Sequence, residues 1–344
     1  MRSSVSPVKT AEHQTGAKTG AGTKTVVIKG AGVAGLALTY ELATRGVAVT
    51  VVDPSGPGPK SASWYAGGML APWCERENAA EDVLLLGKEA VSWWETVLPG
   101  HVHPNGTLVV APPRDRQELS RFASRTSCYD WIDGADVGEL EPDLAGRFSK
   151  ALFFKDEAHL DPRKALTALK GKLEKLGVRF CQAPAEVQAG AEIEVDCTGM
   201  KALETGLRGV RGEMAILHAP DVTLSRPVRL LHPRIPVYIV PRDNHHFMVG
   251  ATMIESDQGG PVTVRSLMEL LNAAYAVHPA FAEAQIVETG TGVRPAYADN
   301  FPQVRQDGNR LSLNGFYRHG FLLAPSMAQR AANQILSTCN EAKT

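Results

Sequence analysis

Thr25 to Asp53, TVVIKGAGVAGLALTYELATRGVAVTVVD, constrains this chain more than any other stretch, because it reads as strand, glycine turn, helix and second strand ending in an acid. Val26-Val27-Ile28 is a short buried strand, and Gly30, Gly32 and Gly35 follow at GxGxxG spacing where a helix opens. In such a unit the first glycine allows the tight turn, the second lets backbone approach a pyrophosphate, and the third lets the helix pack on the strand. The phosphates then meet free N–H groups at the positive end of a helix, which includes Val33 and Ala34. Val47 to Val52 is the second strand, and it delivers Asp53 where a carboxylate can accept hydrogen bonds from both ribose hydroxyls of an adenosine. An acid at that place argues against a 2′-phosphate. The stretch predicts a dinucleotide-binding unit.

Composition narrows the class. A chain of 344 residues with 44% apolar side chains suggests two domains with sizeable cores. The net charge of −1 comes without a basic block, so nothing in it points to nucleic acid or to an anionic membrane. Cysteines stand at 74, 128, 181, 197 and 339 with no CxxC pair, the usage expected in a reducing compartment, and no zinc site is readable. No apolar run approaches the roughly 18 residues that span a bilayer, and no signal-peptide core is present, so a cytoplasmic protein is expected. Residues 1–24, rich in Ser, Thr, Lys and Gly, read as a disordered tail, with no amphipathic Arg pattern to suggest a transit peptide.

After Asp53 a Pro/Gly/Ser loop leads into WYAGGMLAPW, where Gly67 and Gly68 interrupt any regular element and suggest backbone lying against a flat ligand. Ala80 to Leu98 has helical spacing, with Trp93 and Trp94 assigned to core. Thr107 to Ala111 reads as the first strand of a different sheet. Pro162 to Leu176 is an amphipathic helix followed by a short strand, Val178 to Cys181, and Glu192 to Gly199 is another strand. Strands then dominate at Met214 to Leu217, Val237 to Val240 and Phe247 to Ala251. A helix over Val264 to His278, a strand over Leu311 to Asn314, the turn GFYRHG and a closing helix from Phe321 to about Ser337 complete the reading. Strands alternate with helices at both ends and cluster in the middle, which implies an α/β nucleotide domain interrupted by a β-rich, α+β domain. The expected division is 25–100, 154–211 and 288–344 for the nucleotide domain, and 101–153 and 212–287 for the other.

Four later segments carry a resemblance: Tyr238-Ile-Val-Pro-Arg242, Met248-Val-Gly-Ala-Thr-Met253, Gly292-Val-Arg-Pro295 and Phe316-Tyr-Arg-His-Gly-Phe-Leu-Leu-Ala-Pro325. In this order and spacing they resemble the glycine oxidases of thiamine biosynthesis, within the D-amino-acid oxidase superfamily of FAD enzymes. The resemblance runs from about Thr25 to the C-terminus. It implies a Rossmann-like FAD domain, non-covalent FAD, and oxidation of glycine or another small amino acid by hydride transfer from Cα to flavin N5. Oxygen would become hydrogen peroxide, and the imine would feed thiazole synthesis. A flavin dehydrogenase of the same fold using another acceptor is the alternative within the class. A nicotinamide-dependent dehydrogenase, which shares the opening motif, and a non-catalytic FAD-binding protein are alternatives outside it, and a homo-oligomer is left open.

The same resemblance supplies residue roles. Arg294 matches the arginine that pairs bidentately with the substrate carboxylate, Tyr238 the phenol that shares it, and Met253 the side chain that limits the pocket to small substrates. Arg318 matches the arginine whose carbonyl holds the amine. Pro54, Ala62, Ser63, Gly67, Gly68, Met69, Val187 and Gly199 match cofactor contacts, as do Phe316, Tyr317, His319, Gly320, Phe321 and Leu322 around the last turn. That turn opens a helix whose free N–H groups could face the flavin's N1–C2=O edge. No general base is expected, because a neutral amine's lone pair can drive hydride departure. His319 is assigned to the flavin side, and His245-His246 and His101-x-His103 lack a nearby third ligand, so no metal is expected. The sequence departs from the pattern between Val187 and Glu192, at Arg234-Ile-Pro-Val before the tyrosine, and at His319, where some relatives have Asn. No cysteine lies within Gly292 to Val304, where covalent-flavin relatives attach the ring.

Overall fold

The computed structural model describes residues 25–186, 193–202, 204–231, 237–308 and 310–341, the side chains of 338–341 excepted. The tail assigned to residues 1–24, the adenine contact assigned to Val187, and the Arg234-Ile-Pro segment lie outside the described residues.

The first sheet runs β17 (Gln303–Asp307), β18 (Arg310–Asn314), β10 (Ile193–Asp196), β1 (Thr25–Lys29), β2 (Ala48–Val52) and β9 (Arg179–Cys181), parallel except for the β17–β18 pair. Val26 and Ile28 of β1 are buried with Val49 and Val51 of β2, as expected of strands covered on both faces. Helix α1 (Val33–Ala43) is buried along most of its length because α9 (Gly320–Glu341) and α7 (Pro162–Lys175) cover it. Pro162 at the first turn of α7 and the Asp161 carboxylate, which accepts from Arg163 N at 2.8 Å, fix where that helix begins.

The second sheet, mostly antiparallel, runs β15 (Ile254–Glu255), β11 (Arg208–His218), β14 (His246–Gly250), β13 (Val237–Arg242), β12 (Val228–Leu230), β5 (Thr107–Val110), β7 (Lys150–Phe154) and β6 (Asp130–Asp133). On its apolar face α8 (Val264–Val277) buries Leu270, Ala274 and Val277 against Ile239, Phe247 and Val249, and α6 (Gly134–Leu140) adds Val137. The short α5 (Gln117–Ala123) seals a smaller cluster around Phe122 and Phe154. A small third sheet, β3 (Met69–Leu70), β8 (Ala158–Leu160) and β4 (Val102–His103), joins the layers.

Two expectations need correction. Strand β16 (Gln285–Ala296) pairs with β11 along its length, from Arg208↔Ala296 to His218↔Gln285. Residues 288–296 therefore belong to the second sheet rather than to the nucleotide layer, and β11 enters that sheet four residues before the expected boundary at 212. Ala80 to Leu98 is two helices, α3 (Glu81–Gly87) and α4 (Ala90–Val97), preceded by a single turn, α2 (Pro72–Glu75). The break comes directly after Gly87, a poor helix former, where a Cβ would stand 2.9 Å from the Leu322 side chain of α9. Trp93 and Trp94 are core, with Trp94 Nε1 donating to Phe321 O at 2.9 Å and Trp93 Nε1 to Glu41 Oε1 at 2.7 Å. Among the described residues no helix is long and apolar enough to cross a membrane.

Candidate functional site

A cavity of about 600 Å³ runs from the ends of β1 and β2 to the face of the second sheet, lined from both layers. Its first part is made of backbone. Gly30 has φ +100°, and a Cβ there would stand 2.5 Å from Cys197 O; one on Gly35 would stand 2.0 Å from Gly30 O. Turn and helix can therefore meet only without side chains. Gly32 caps α1 without a side-chain acceptor, and Val33 N donates to Ser63 Oγ at 3.1 Å, so the remaining first-turn N–H groups face the cavity. Asp53 is oriented by backbone donors, Ala31 N to Oδ2 and Ser55 N to Oδ1, both at 2.8 Å. Each of its oxygens keeps acceptor capacity for a diol.

The middle of the cavity is lined by glycine backbone. Gly68 has φ +75°, with a Cβ position 2.1 Å from Leu160 O, while Gly67 and Met69 line the same wall. Opposite them the turn over Phe316 and Tyr317 is tied down by Tyr317 N donating to Pro295 O at 2.7 Å, and α9 opens at Gly320. The glycine cradle, the start of α1 and the glycine-lined middle of the cavity fit an extended dinucleotide.

The far end is polar and charged. Arg294, on β16, lies over Gly212 of β11, where a Cβ would be 2.2 Å from its Nη2, and Nη1 donates to Thr252 O at 3.1 Å. No carboxylate among the described residues forms an ion pair with it. Burial and the neighbouring Arg318 cation pull the Arg294 guanidinium down to about 10. Tyr238 accepts from Arg229 Nη1 at 2.8 Å and donates to Glu75 Oε1 at 3.3 Å, and burial pushes its phenol well above the usual value. Arg318 grips Glu75 through two contacts, Nε to Oε2 at 2.8 Å and Nη2 to Oε1 at 2.9 Å. Burial would raise the Glu75 carboxyl, but Arg318, with His319 and Arg229 beyond it, outweighs burial and holds it at about 2. Fully buried Arg229 spends its Nη2 on Glu77 at 2.5 Å. Met253, 39% exposed at the mouth, places its sulfur 3.5 Å from both Tyr317 Oη and Arg318 Nη1.

The cavity thus gathers Gly30, Gly32, Val33, Ala34, Asp53, Pro54, Ala62, Ser63, Gly67, Gly68, Met69, Gly199, Tyr238, Met253, Arg294, Phe316, Tyr317, Arg318, Gly320 and Phe321 from the sequence reading. Gly35 serves behind the wall. Two of the assigned residues are not among those lining the cavity. The His319 ring is buried, Nδ1 stands 3.3 Å from Glu75 Oε2 without an aligned hydrogen bond, and burial pulls the imidazole down to about 4, against the pull of Glu75. Leu322 packs into the groove left by Gly87. Glu75 and Arg229 were missed. The available signal was Arg229 itself, a lone cation in the apolar run Val228-Arg-Leu-Leu231, which only a buried counter-charge would permit. No group of three metal-binding side chains occurs among the described residues.

The model of the family described as FAD dependent oxidoreductase, DAO, matches residues 25–334. A Rhizobium etli protein, provisionally named thiamine biosynthesis oxidoreductase ThiO, is 58% identical over 315 residues, 91% of this chain and 96% of that one. The glycine oxidase of Bacillus licheniformis is 26% identical over 356 residues, 93% of this chain and 94% of its own. The glycine oxidase structure from Geobacillus kaustophilus superposes with a TM-score of 0.75 at 21% identity, covering 92% of this chain and 95% of that one, which makes the fold D-amino-acid oxidase-like.

Proposed function

This chain belongs to the DAO family of FAD-dependent oxidoreductases, and on that premise we propose that it oxidises glycine, or an amino acid nearly as small, to its imine. Bound FAD supplies the hydride acceptor. The residues do the rest. Val33, Ala34 and Asp53, which line one end of the cavity, would hold the pyrophosphate and ribose, and Gly67, Gly68 and Met69 would line the ring. Arg294 pairs with the substrate carboxylate, assisted by the Tyr238 hydroxyl, and the turn around Arg318 offers a backbone carbonyl to the amine. No side chain need take a proton from Cα, because positioning a neutral amine beside the ring suffices.

The observation that carries the reading is Arg294: a half-buried guanidinium lining the cavity and without a carboxylate partner among the described residues, with the Tyr238 phenol lining the same cavity. Such a cation is completed by a ligand anion. The names of the Rhizobium etli and Bacillus licheniformis relatives support glycine as the substrate and thiazole synthesis as the destination of the imine. Free Cys74, Cys128, Cys181 and Cys197 support a reducing compartment, the cytoplasm. Anaerobic titration of the yellow protein with glycine, sarcosine, D-alanine and D-proline should bleach the flavin with the smallest first; no bleaching by any of them refutes the reaction. Stoichiometric peroxide under air identifies oxygen as acceptor, and its absence during turnover with an artificial acceptor identifies a dehydrogenase.

A further inference from the structure

The charges at the reaction end do not balance evenly. Among the described residues three guanidiniums stand there, and two are spent within the protein: Arg318 on Glu75 by a two-point contact, Arg229 on Glu77. Among the described residues Arg294 alone of the three has only a carbonyl, Thr252 O. Arg318 nevertheless borders ligand space, since it lines the cavity and touches the Met253 sulfur at its mouth. Glu75 lines the same cavity and is only 9% exposed at its side chain, so its charge is weakly screened.

We propose that Glu75 is a charge gate: by neutralising Arg318 and presenting its own carboxylate to the cavity, it restricts the site to ligands with a single carboxylate and an uncharged remainder. The inference rests on Arg294 being the carboxylate anchor of the proposed reaction. A first carboxylate meets Arg294. A second one on the same ligand finds Arg318 already paired and Glu75 facing it, an unpaired anion in a site of low dielectric beside a like charge. Size acts alike on an acid and on its amide, whatever limit Met253 sets at the mouth, so charge alone separates the two. Of an acid and an amide of the same shape, the acid is therefore the one disfavoured by charge.

Malonate and malonamate differ by one charge and almost nothing in shape, which makes them the probes. Their dissociation constants for the full-length, FAD-loaded protein are read by calorimetry and by perturbation of the flavin absorbance near neutral pH. Malonamate should bind at least tenfold more tightly than malonate; equal affinities, or no binding of either, overturn the gate. In Glu75→Gln the ratio should fall within threefold, because Arg318 is released and the opposing charge is gone. The balanced double variant, Glu75→Gln with Arg318→Gln, removes both charges without leaving a buried cation unpaired and should show the same fall. A ratio that persists in whichever variant folds removes Glu75 from the role. D-Asparagine and D-aspartate extend the comparison to flavin reduction. If no amino acid reduces the flavin while the two probes behave as expected, the reaction is wrong and the gate stands. If glycine reduces it while wild type binds both probes alike, the reaction stands and the gate falls.

Discussion

The two ends of the cavity are made of different material. At the nucleotide end, recognition is mainly by backbone: Gly30, Gly35 and the start of α1 act through missing Cβ atoms and free N–H groups, and Asp53 adds a carboxylate itself held by two N–H donors. At the reaction end nearly everything is side chain, and the side chains come from β12, β13, β16, the turn before α9 and the segment around Glu75. A backbone cradle is encoded by one contiguous stretch and tolerates any nucleotide of the right shape. A charge cluster depends on strands that meet only after folding, and its selectivity is set by which charges remain unpaired.

The sharpest break of that contrast is Arg294→Ala, which leaves the substrate carboxylate without its partner in a closed site. A loss of about 2–5 kcal/mol is expected, so kcat/KM for glycine should fall about 30-fold or more at unchanged flavin content. Arg294→Lys should recover only part, since a point charge does not reproduce the fork. Wild-type flavin reduction by the alanine variant would move the anchor elsewhere. At the other end, Asp53→Ala should cost roughly 1.5–3 kcal/mol in FAD binding, tenfold or more in Kd, with the remaining bound fraction turning over normally. Retention of flavin through gel filtration with an unchanged Kd would show that backbone alone suffices there.

Met253→Gly removes a movable wall rather than a charge. It should shift the ratio of efficiencies from glycine toward D-alanine by about 1–3 kcal/mol or slightly more, and a fixed ratio with a lowered Tm would make Met253 a packing residue. The smallest expected effect concerns Glu157, behind the reaction end, whose Oε1 accepts from Cys74 N at 2.7 Å while Oε2 has no partner. Burial pushes its carboxyl from 4.5 up to about 7, so the unfolded chain ionises first and stability declines as pH rises between those values. Glu157→Gln cannot ionise and should lose that slope, gaining on wild type by a few degrees in Tm between pH 5 and pH 8. Parallel Tm profiles for the two proteins would refute it.

The same contrast explains what the sequence disclosed. The first βαβ unit was legible because turn, helix and acid are local and periodic, and Trp93 and Trp94 declared themselves as core by helical spacing. Arg294, Tyr238, Met253 and Arg318 were legible only through resemblance, since nothing periodic marks a residue that acts by converging with others. Glu75 escaped because Cys74-Glu75-Arg76-Glu77 reads as an ordinary polar stretch, and its burial depends on Arg318, more than two hundred positions away. The sheet membership of β16 escaped for a related reason: Gly290 and Gly292 broke its alternation, and their function is to let Tyr65 and Ala62 press against the strand.

Strand order has a consequence for how the molecule is made. β1 and β2 emerge early from the ribosome, but β10, on the other side of β1, waits until Asp196 and β18 until Asn314. Helix α9, which covers α1, comes later still. Through most of synthesis the glycine turn therefore sits on a ribbon with an open edge and an apolar helix lacking its cover, the kind of surface that chaperones recognise. The part of the site written first in the message is among the last to become a place where anything can bind.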